Sequence, residues 1–451
     1  MLNRSVLIVG ALLAAYPVHA STPDAAGKIR AAIGKAPGSQ PGCAVGIFRN
    51  GAATEYVNVG LADVSTGKEI GSDTQFYAAS VAKQFTAVAV MQQVVEGKVR
   101  LTDSVRKHIP EMPAYADAIT VQMLLNMSSG VRDSLSLMGL EGYDLISVPT
   151  RQQALNAVYR QKEPKFTPGT QYDYTNGGYL LLSEIVERSS GIAFETYINK
   201  RVLAPLGMTR SNVMSGQRNT DANIAKGYIA ENGNVRLADE YPLFGGSGGL
   251  ITTINDLGRW NHDIDTGHKV WSPAITRLMA EPGKFLNGTP VIRTGRGIAY
   301  GNALIIGSHW FHHTGGAGGF KTLFGHLREK RMGFAMLCNN GAIDPAPKAD
   351  EIVAALGENL PAILEATADG TALDGRYQNP NVSATYHIKV SGDYLEVTIA
   401  RPDGSRTAPK ILKRSDDGQF SNGQMQLKPD DDARGFTVEI PRVTLHFERA
   451  S

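Results

Sequence analysis

Ser80 and Lys83 stand three residues apart where an apolar run, Val81, Phe85, Val88 and Ala89, takes up helical spacing. On a helix, positions i and i+3 share a face, so the Lys83 ammonium would lie beside the Ser80 hydroxyl. Serine alone is a weak nucleophile at neutral pH. An amine beside it, desolvated so that its pKa falls, can take the proton. The first turn of a helix adds the positive end of the dipole and a free backbone N–H for an attacked carbonyl oxygen. The chain holds three copies of Ser-x-x-Lys, at Ser65, Ser80 and Ser104. The Ser65 copy encloses Gly67 and reads as a turn. The Ser104 copy lies in the charged stretch Leu-Thr-Asp-Ser-Val-Arg-Lys-His, with no buried face. The Ser80 copy alone opens an apolar helix.

Such a pair needs a second proton-transfer group, a polar hold on the substrate and donors for the oxyanion. Tyr174-Thr-Asn176 offers the first two. A phenol near a cation can relay a proton, and an asparagine amide both donates and accepts. Tyr-x-Asn occurs five times, beginning at Tyr56, Tyr174, Tyr197, Tyr300 and Tyr377. At Tyr174 a glycine-bounded loop opens a helix, where side chains can point into a cleft. The other four copies are expected to be incidental. His313-Thr314-Gly315-Gly316 is the third piece, and its His-x-Gly occurs once. It ends an extended run and opens a glycine-rich turn, where a bare strand edge lets a substrate backbone come close. His313 would turn positive or donor character toward a carboxylate or a leaving group. With His309 and His312 it makes H-x-x-H-H. In a strand His312 faces away from the other two, and no carboxylate follows at ligand spacing. No metal or cofactor is expected.

These residues need elements to hold them. Residues 24 to 37 read as a lead-in helix. Gly42 to Asn50 and Ala53 to Val64 read as strands around Asn50-Gly51, a hairpin signal. The Ser80 helix runs to about Glu96 and stops at Gly97. Further helices are expected over Ile119–Met127 with Thr120 as cap, Tyr179–Ser189, Glu195–Val202 and Ile254–Asp263. Residues 131 to 150 read as a loop. Gly245-Gly-Ser-Gly-Gly lacks the spacing and the Gly-Lys-Ser/Thr of a phosphate loop, which excludes nucleotide binding there. Residues 298–307, 309–313, 321–329 and 331–338 read as extended, and 349–364 as a helix. Residues 366–372 read as a linker, and 373–451 as a small all-β, barrel-like domain. Strands from both ends of 21–365 must then share one antiparallel sheet with helices packed on it, an α+β arrangement.

The chain has 451 residues, 42% hydrophobic and 20% charged, with net charge +2. That leaves room for a large core in two or three domains. No basic block suits nucleic acid or an anionic membrane surface. Residues 1–20 read as an export leader. Arg4 supplies the positive end, Val6–Tyr16 the apolar run and Val18-His19-Ala20 the cleavage site. No later run reaches the roughly 18 residues of a membrane span. The expected location is the periplasm or outside the cell. An oxidising compartment permits a bond between Cys43 and Cys338, both in strand-like runs. Direct cross-strand disulfides fit strand geometry poorly, so two buried thiols packing as small hydrophobes are favoured over a bond.

Together these residues resemble the serine β-lactamase and penicillin-binding-protein superfamily. The branch is that of class C β-lactamases, DD-carboxypeptidases, D-aminopeptidases and related esterases. Ser80-Val-Ala-Lys83, Tyr174-Thr-Asn176 and His313-Thr-Gly315 carry the likeness, in that order. Ile119-Thr-Val-Gln-Met-Leu-Leu-Asn, Phe166-Thr-Pro-Gly, Pro205-Leu-Gly-Met and Gly248-Gly-Leu-Ile-Thr-Thr support it. It covers about residues 25 to 365. The β domain is more loosely similar to the barrel-like appendages of D-aminopeptidase-type members.

The resemblance implies a β-lactamase-like fold, with an all-helical lobe beside the sheet. It implies Ser80 as the nucleophile of an acyl-enzyme, with Lys83 and Tyr174 as the proton-transfer pair. Asn176, His313, Thr314 and Gly315 would bind substrate, and the N–H groups of Ser80 and Gly316 would form the oxyanion hole. His313 stands where many members have lysine, and neither Lys-Thr-Gly nor Ser-Asp-Asn is present. That departure favours an amidase, peptidase or esterase over an efficient β-lactamase. The expected partner is a small peptide, amide or ester. A reading of another class is an inactive binder of cell-wall peptides.

Overall fold

The computed structural model describes residues 25–33, 39–351 and 373–450, except 142, 144–149, 219, 220, 222, 232, 233, 294–297, 308, 309, 346, 349, 350, 374, 381, 392, 393, 403, 408, 416, 417, 423, 424, 431–434, 441 and 442. The segments read as an export leader and as a linker, and nearly all of the helix expected over 349–364, lie outside the described residues, as does His309.

Strands β1 (Cys43–Arg49) and β2 (Ala52–Val59) form the expected hairpin. Asn50 and Gly51 both take positive φ, 51° and 74°, as in a two-residue turn whose twist matches the strands. The chain then builds helices and returns late as β3 (Ile292–Arg293), β4 (Ile298–Tyr300), β5 (Ile305–Ile306), β6 (Trp310–Ala317), β7 (Phe320–Leu327) and β8 (Met332–Cys338). β8 pairs antiparallel with β1. The two ends of the region therefore share one eight-stranded sheet, ordered β3-β4-β5-β6-β7-β8-β1-β2. β1, β7 and β8 are buried along nearly their whole length. That is why they read as continuous apolar runs rather than alternating ones.

Helix α1 (Ala82–Val95) follows Ser80 and ends before Gly97, which takes φ 74°. Every residue from Ala82 to Met91 is buried. It is an interior helix, buried all round rather than along a single apolar stripe, and it carries Lys83, Gln84 and Thr86 inward with its apolar residues. It packs against α3 (Asn176–Ser190), and α4 (Ile254–His262) packs on β1 and β8. Several boundaries differ from expectation. The Thr120-capped helix is only Val121–Leu125. The helix expected from Glu195 begins at Phe194, and Ile198–Leu203 widens into a π turn. The loop expected over 131–150 contains α2 (Ser134–Leu140), capped by Asp133. Such a short helix stands on its cap rather than on an apolar period, so periodicity misses it.

Cys43 and Cys338 are bonded, with Cα atoms 4.0 Å apart, which corrects the expectation of two free thiols. They are register partners in β1 and β8. The Asn339 N–H donates to the Gly42 carbonyl at 3.0 Å, which makes the neighbouring pair the hydrogen-bonded one. The cysteines thus occupy a non-hydrogen-bonded position, where paired Cα atoms approach to about 4.5 Å. A shift of one residue in register would have removed that closeness.

The C-terminal strands close into an eight-stranded antiparallel barrel. Its first strand, Gly375–Asn379, pairs with its last, Val443–Arg449, through Tyr377 and Arg449. Closure leaves no open sheet edge. The barrel has its own core, including Tyr377, Leu395, Leu412, Phe436 and Phe447, separate from that of the eight-stranded sheet and its helices. Among the described residues no helix is long and apolar enough to cross a membrane.

Candidate active site

A short strand, Phe76–Tyr77, pairs with Leu250–Thr252 and leads the chain up to Ser80. The Ala78 N–H donates to the Leu250 carbonyl, and the Thr322 hydroxyl of β7 donates 2.7 Å to the Ala78 carbonyl. Ala79 then takes φ 47°, a left-handed conformation that costs a residue with a Cβ roughly 1–2 kcal/mol. One 3-10 turn, Ala79–Val81, joins this bend to α1. Between Thr74 and Met91, Ser80 is the one residue that is not buried. Gly315 of β6 lies against this bend. A Cβ there would stand 2.7 Å from the Ala78 carbonyl oxygen and 2.9 Å from the Ser80 nitrogen. The neighbour that requires a bare Gly315 is therefore the chain's own bend at Ala78–Ser80.

Lys83 is completely buried, and its amine donates to the Ser80 hydroxyl at 3.1 Å. It also donates to the Asn176 side-chain oxygen and to the Ser247 carbonyl, both at 2.8 Å. The glycine-rich turn before α4 thus supplies a carbonyl to Lys83, and the Gly246 carbonyl accepts from Thr86 of α1. Burial pushes the Lys83 amine down to about 7, with Asp133 pulling it the other way. Near neutrality a large fraction of it is the free base, which is the form that can accept a proton from Ser80.

Asn176 is the first residue of α3, three residues earlier than the apolar period suggests, because Thr175 caps the helix there. The Asp133 carboxylate accepts from the Asn176 backbone N–H at 2.7 Å and from its side-chain nitrogen at 2.9 Å. Gly177 permits this approach, since a Cβ there would stand 2.4 Å from the Arg132 carbonyl oxygen. Asp133 is a site residue that the sequence reading missed. Its signal was present as a helix cap before Ser134, in a stretch without helical period.

The Tyr174 ring lies over the Lys83 amine at 4.9 Å, and the Tyr179 ring lies 5.6 Å from it. Burial holds the Tyr174 phenol well above its ordinary range, so it is protonated. Its hydroxyl faces Ser80 without closing a hydrogen bond of good geometry. His313 is buried as well. Its Nδ1 donates to the Thr314 carbonyl at 2.6 Å, and its Nε2 accepts from the Tyr300 hydroxyl at 3.2 Å. Burial, with the Lys83 charge, pushes the His313 imidazole down to about 3. It is therefore neutral at physiological pH, so of the positive or donor character expected of it the positive is absent. Tyr300, set aside with the incidental Tyr-x-Asn copies, belongs to the site through this bond. His312 stacks on Trp310 at 4.1 Å.

Ser80, Lys83, Tyr174, Asn176, His313, Thr314 and Gly315 are thus brought together, with Gly316 next along β6. The other two Ser-x-x-Lys copies are structural. Ser65 donates to Asp63, and Ser104 caps a short helix. A surface groove of 340 Å³ bounded by Tyr56, Arg259 and His262 contains none of the site residues.

A family model described as Beta-lactamase matches residues 29–358. A D-aminopeptidase of Cereibacter sphaeroides is 25% identical over 380 residues, 84% of this chain and 70% of its own length. A D-aminopeptidase of Brucella anthropi is 26% identical over 345 residues, 73% of this chain and 62% of its own. The octameric penicillin-binding protein homologue from Pyrococcus abyssi superposes with a TM-score of 0.63 at 25% identity, covering 91% of this chain and 96% of that one. The D-amino acid amidase from Ochrobactrum anthropi SV3 shares the fold, with a TM-score of 0.62 at 22% identity, covering 74% and 99%.

Proposed function

The chain belongs to the beta-lactamase family and is a serine hydrolase; from that premise we propose that it is exported and cleaves amide bonds beside D-residues through an acyl-enzyme on Ser80. The observation that carries the reading is the buried Lys83 amine, held near neutrality and bonded to the Ser80 hydroxyl. Lys83 takes the Ser80 proton as Oγ bonds to the substrate carbonyl carbon. The C–N bond then breaks, and the leaving amine takes a proton from the Tyr174 phenol, which the Lys83 ammonium replaces. Water attacks the resulting ester, gives its proton to Lys83, and Ser80 recovers it as the acid leaves. The N–H groups of Ser80 and Gly316 face the oxyanion, and Asn176 holds the substrate amide. The D-aminopeptidase relatives support the choice of substrate. The leader read at residues 1–20 and the Cys43–Cys338 bond support export to an oxidising compartment.

The test is hydrolysis of D-alanine p-nitroanilide against p-nitrophenyl butyrate, with Ser80→Ala as blank. Serine-dependent release of the anilide is expected. Turnover of the ester alone would replace this reading with a carboxylesterase.

A further inference from the structure

Asn176 can serve a substrate only if its amide is held in one orientation, and the structure shows what holds it. The side-chain nitrogen is fixed on the Asp133 carboxylate at 2.9 Å, which leaves the oxygen to face the Lys83 amine at 2.8 Å. The same carboxylate oxygen takes the Asn176 backbone N–H at 2.7 Å. The other oxygen accepts from the Ser136 N–H at 2.8 Å and the Ser136 hydroxyl at 3.0 Å. One carboxylate therefore ties the start of α2 to the start of α3, and both oxygens are needed. Lys83 is otherwise faced by Ser80, Asn176, the Ser247 carbonyl, the rings of Tyr174 and Tyr179, and neutral His313. Arg293 bears on Tyr174 and His313. Asp133 is the anion acting on the amine.

We propose that Asp133 is a positioning residue for the reaction: it orients the Asn176 amide toward substrate and Lys83, and holds a carboxylate charge one amide away from the Lys83 amine. This rests on Ser80 and Lys83 acting as the nucleophile and base of the proposed hydrolase. In Asp133→Asn a single oxygen can serve Asn176 or the α2 N-terminus, not both. The charge is also gone, so the Lys83 ammonium loses its stabilising neighbour and gives up its proton at lower pH.

The experiment is the rate at which a fluorophosphonate probe labels Ser80, read by mass spectrometry from pH 5 to 9, in the parent, Asp133→Asn, Asp133→Ser and Ser80→Ala. Serine keeps a helix cap without the charge, so it serves if Asp133→Asn fails to fold. For either variant the plateau is expected to fall by about tenfold or more, with the midpoint lowered by about half a pH unit or more. Parental rate and midpoint would overturn the proposal. So would a lower rate with an unmoved midpoint, which would leave Asp133 as a cap alone. Equal labelling of Ser80→Ala would remove the nucleophile itself, and this assignment with it.

Discussion

With Lys83 as the proposed base, its amine fixes the pH dependence of the site. Its pKa is lowered to about 7, so below that pH the amine is an ammonium and cannot accept the Ser80 proton. The value of kcat/KM should therefore fall about tenfold per unit below pH 7 and level off above it. His313, pushed down to about 3, adds no step in this range. A flat profile between pH 5 and 8 would contradict Lys83 as base. Ser80→Ala should cost on the order of a million-fold in kcat while leaving the fold intact. Ser80, Lys83, Tyr174, Asn176 and His313 were legible because short spacings carry them on a helix start or a strand. Asp133 and Tyr300 were not. Their bonds to Asn176 and His313 form across the fold, where no spacing in the chain announces them.

At the scale of elements, β6 and the turn that carries Ser80 are pressed together at Gly315. Added to Gly315, a Cβ would stand 2.4 Å from the Thr322 hydroxyl and 2.7 Å from the Ala78 carbonyl oxygen. Gly315→Ala must push β6 away from Ser80. Activity should drop by about tenfold or more, and the Tm should fall with it, measured by turnover and thermal unfolding. Parental values for both would show that the turn can yield. The hairpin at Asn50-Gly51 was legible because its turn chemistry is local. The Cys43–Cys338 pairing was not, because it depends on the register between strands almost the length of the domain apart.

At the scale of the molecule, the described residues form two separate hydrophobic cores. Thermal unfolding should show two transitions, and a reductant should lower only the one that belongs to the Ser80 region. A single transition unmoved by reductant would contradict both statements. In the chain-entropy picture, a bond closing so long a loop contributes roughly 6 kcal/mol. The all-β character of residues 373–451 was legible from alternation. Whether the barrel closes was not, since closure rests on first and last strands meeting at Tyr377 and Arg449.

The Cys43–Cys338 bond spans 295 residues, and Ser80, Lys83, Asp133, Tyr174, Asn176 and His313 all fall inside that span. Covalently, residues 43–338 are a closed ring and the barrel is a tail attached after the ring ends. A protease that cuts the ring once leaves a single linked molecule, and its two pieces part on a gel only after reduction. A cut beyond Cys338 sheds the barrel with or without reductant. Scission inside the ring thereby leaves these six residues in one covalent molecule, which scission of an open chain does not.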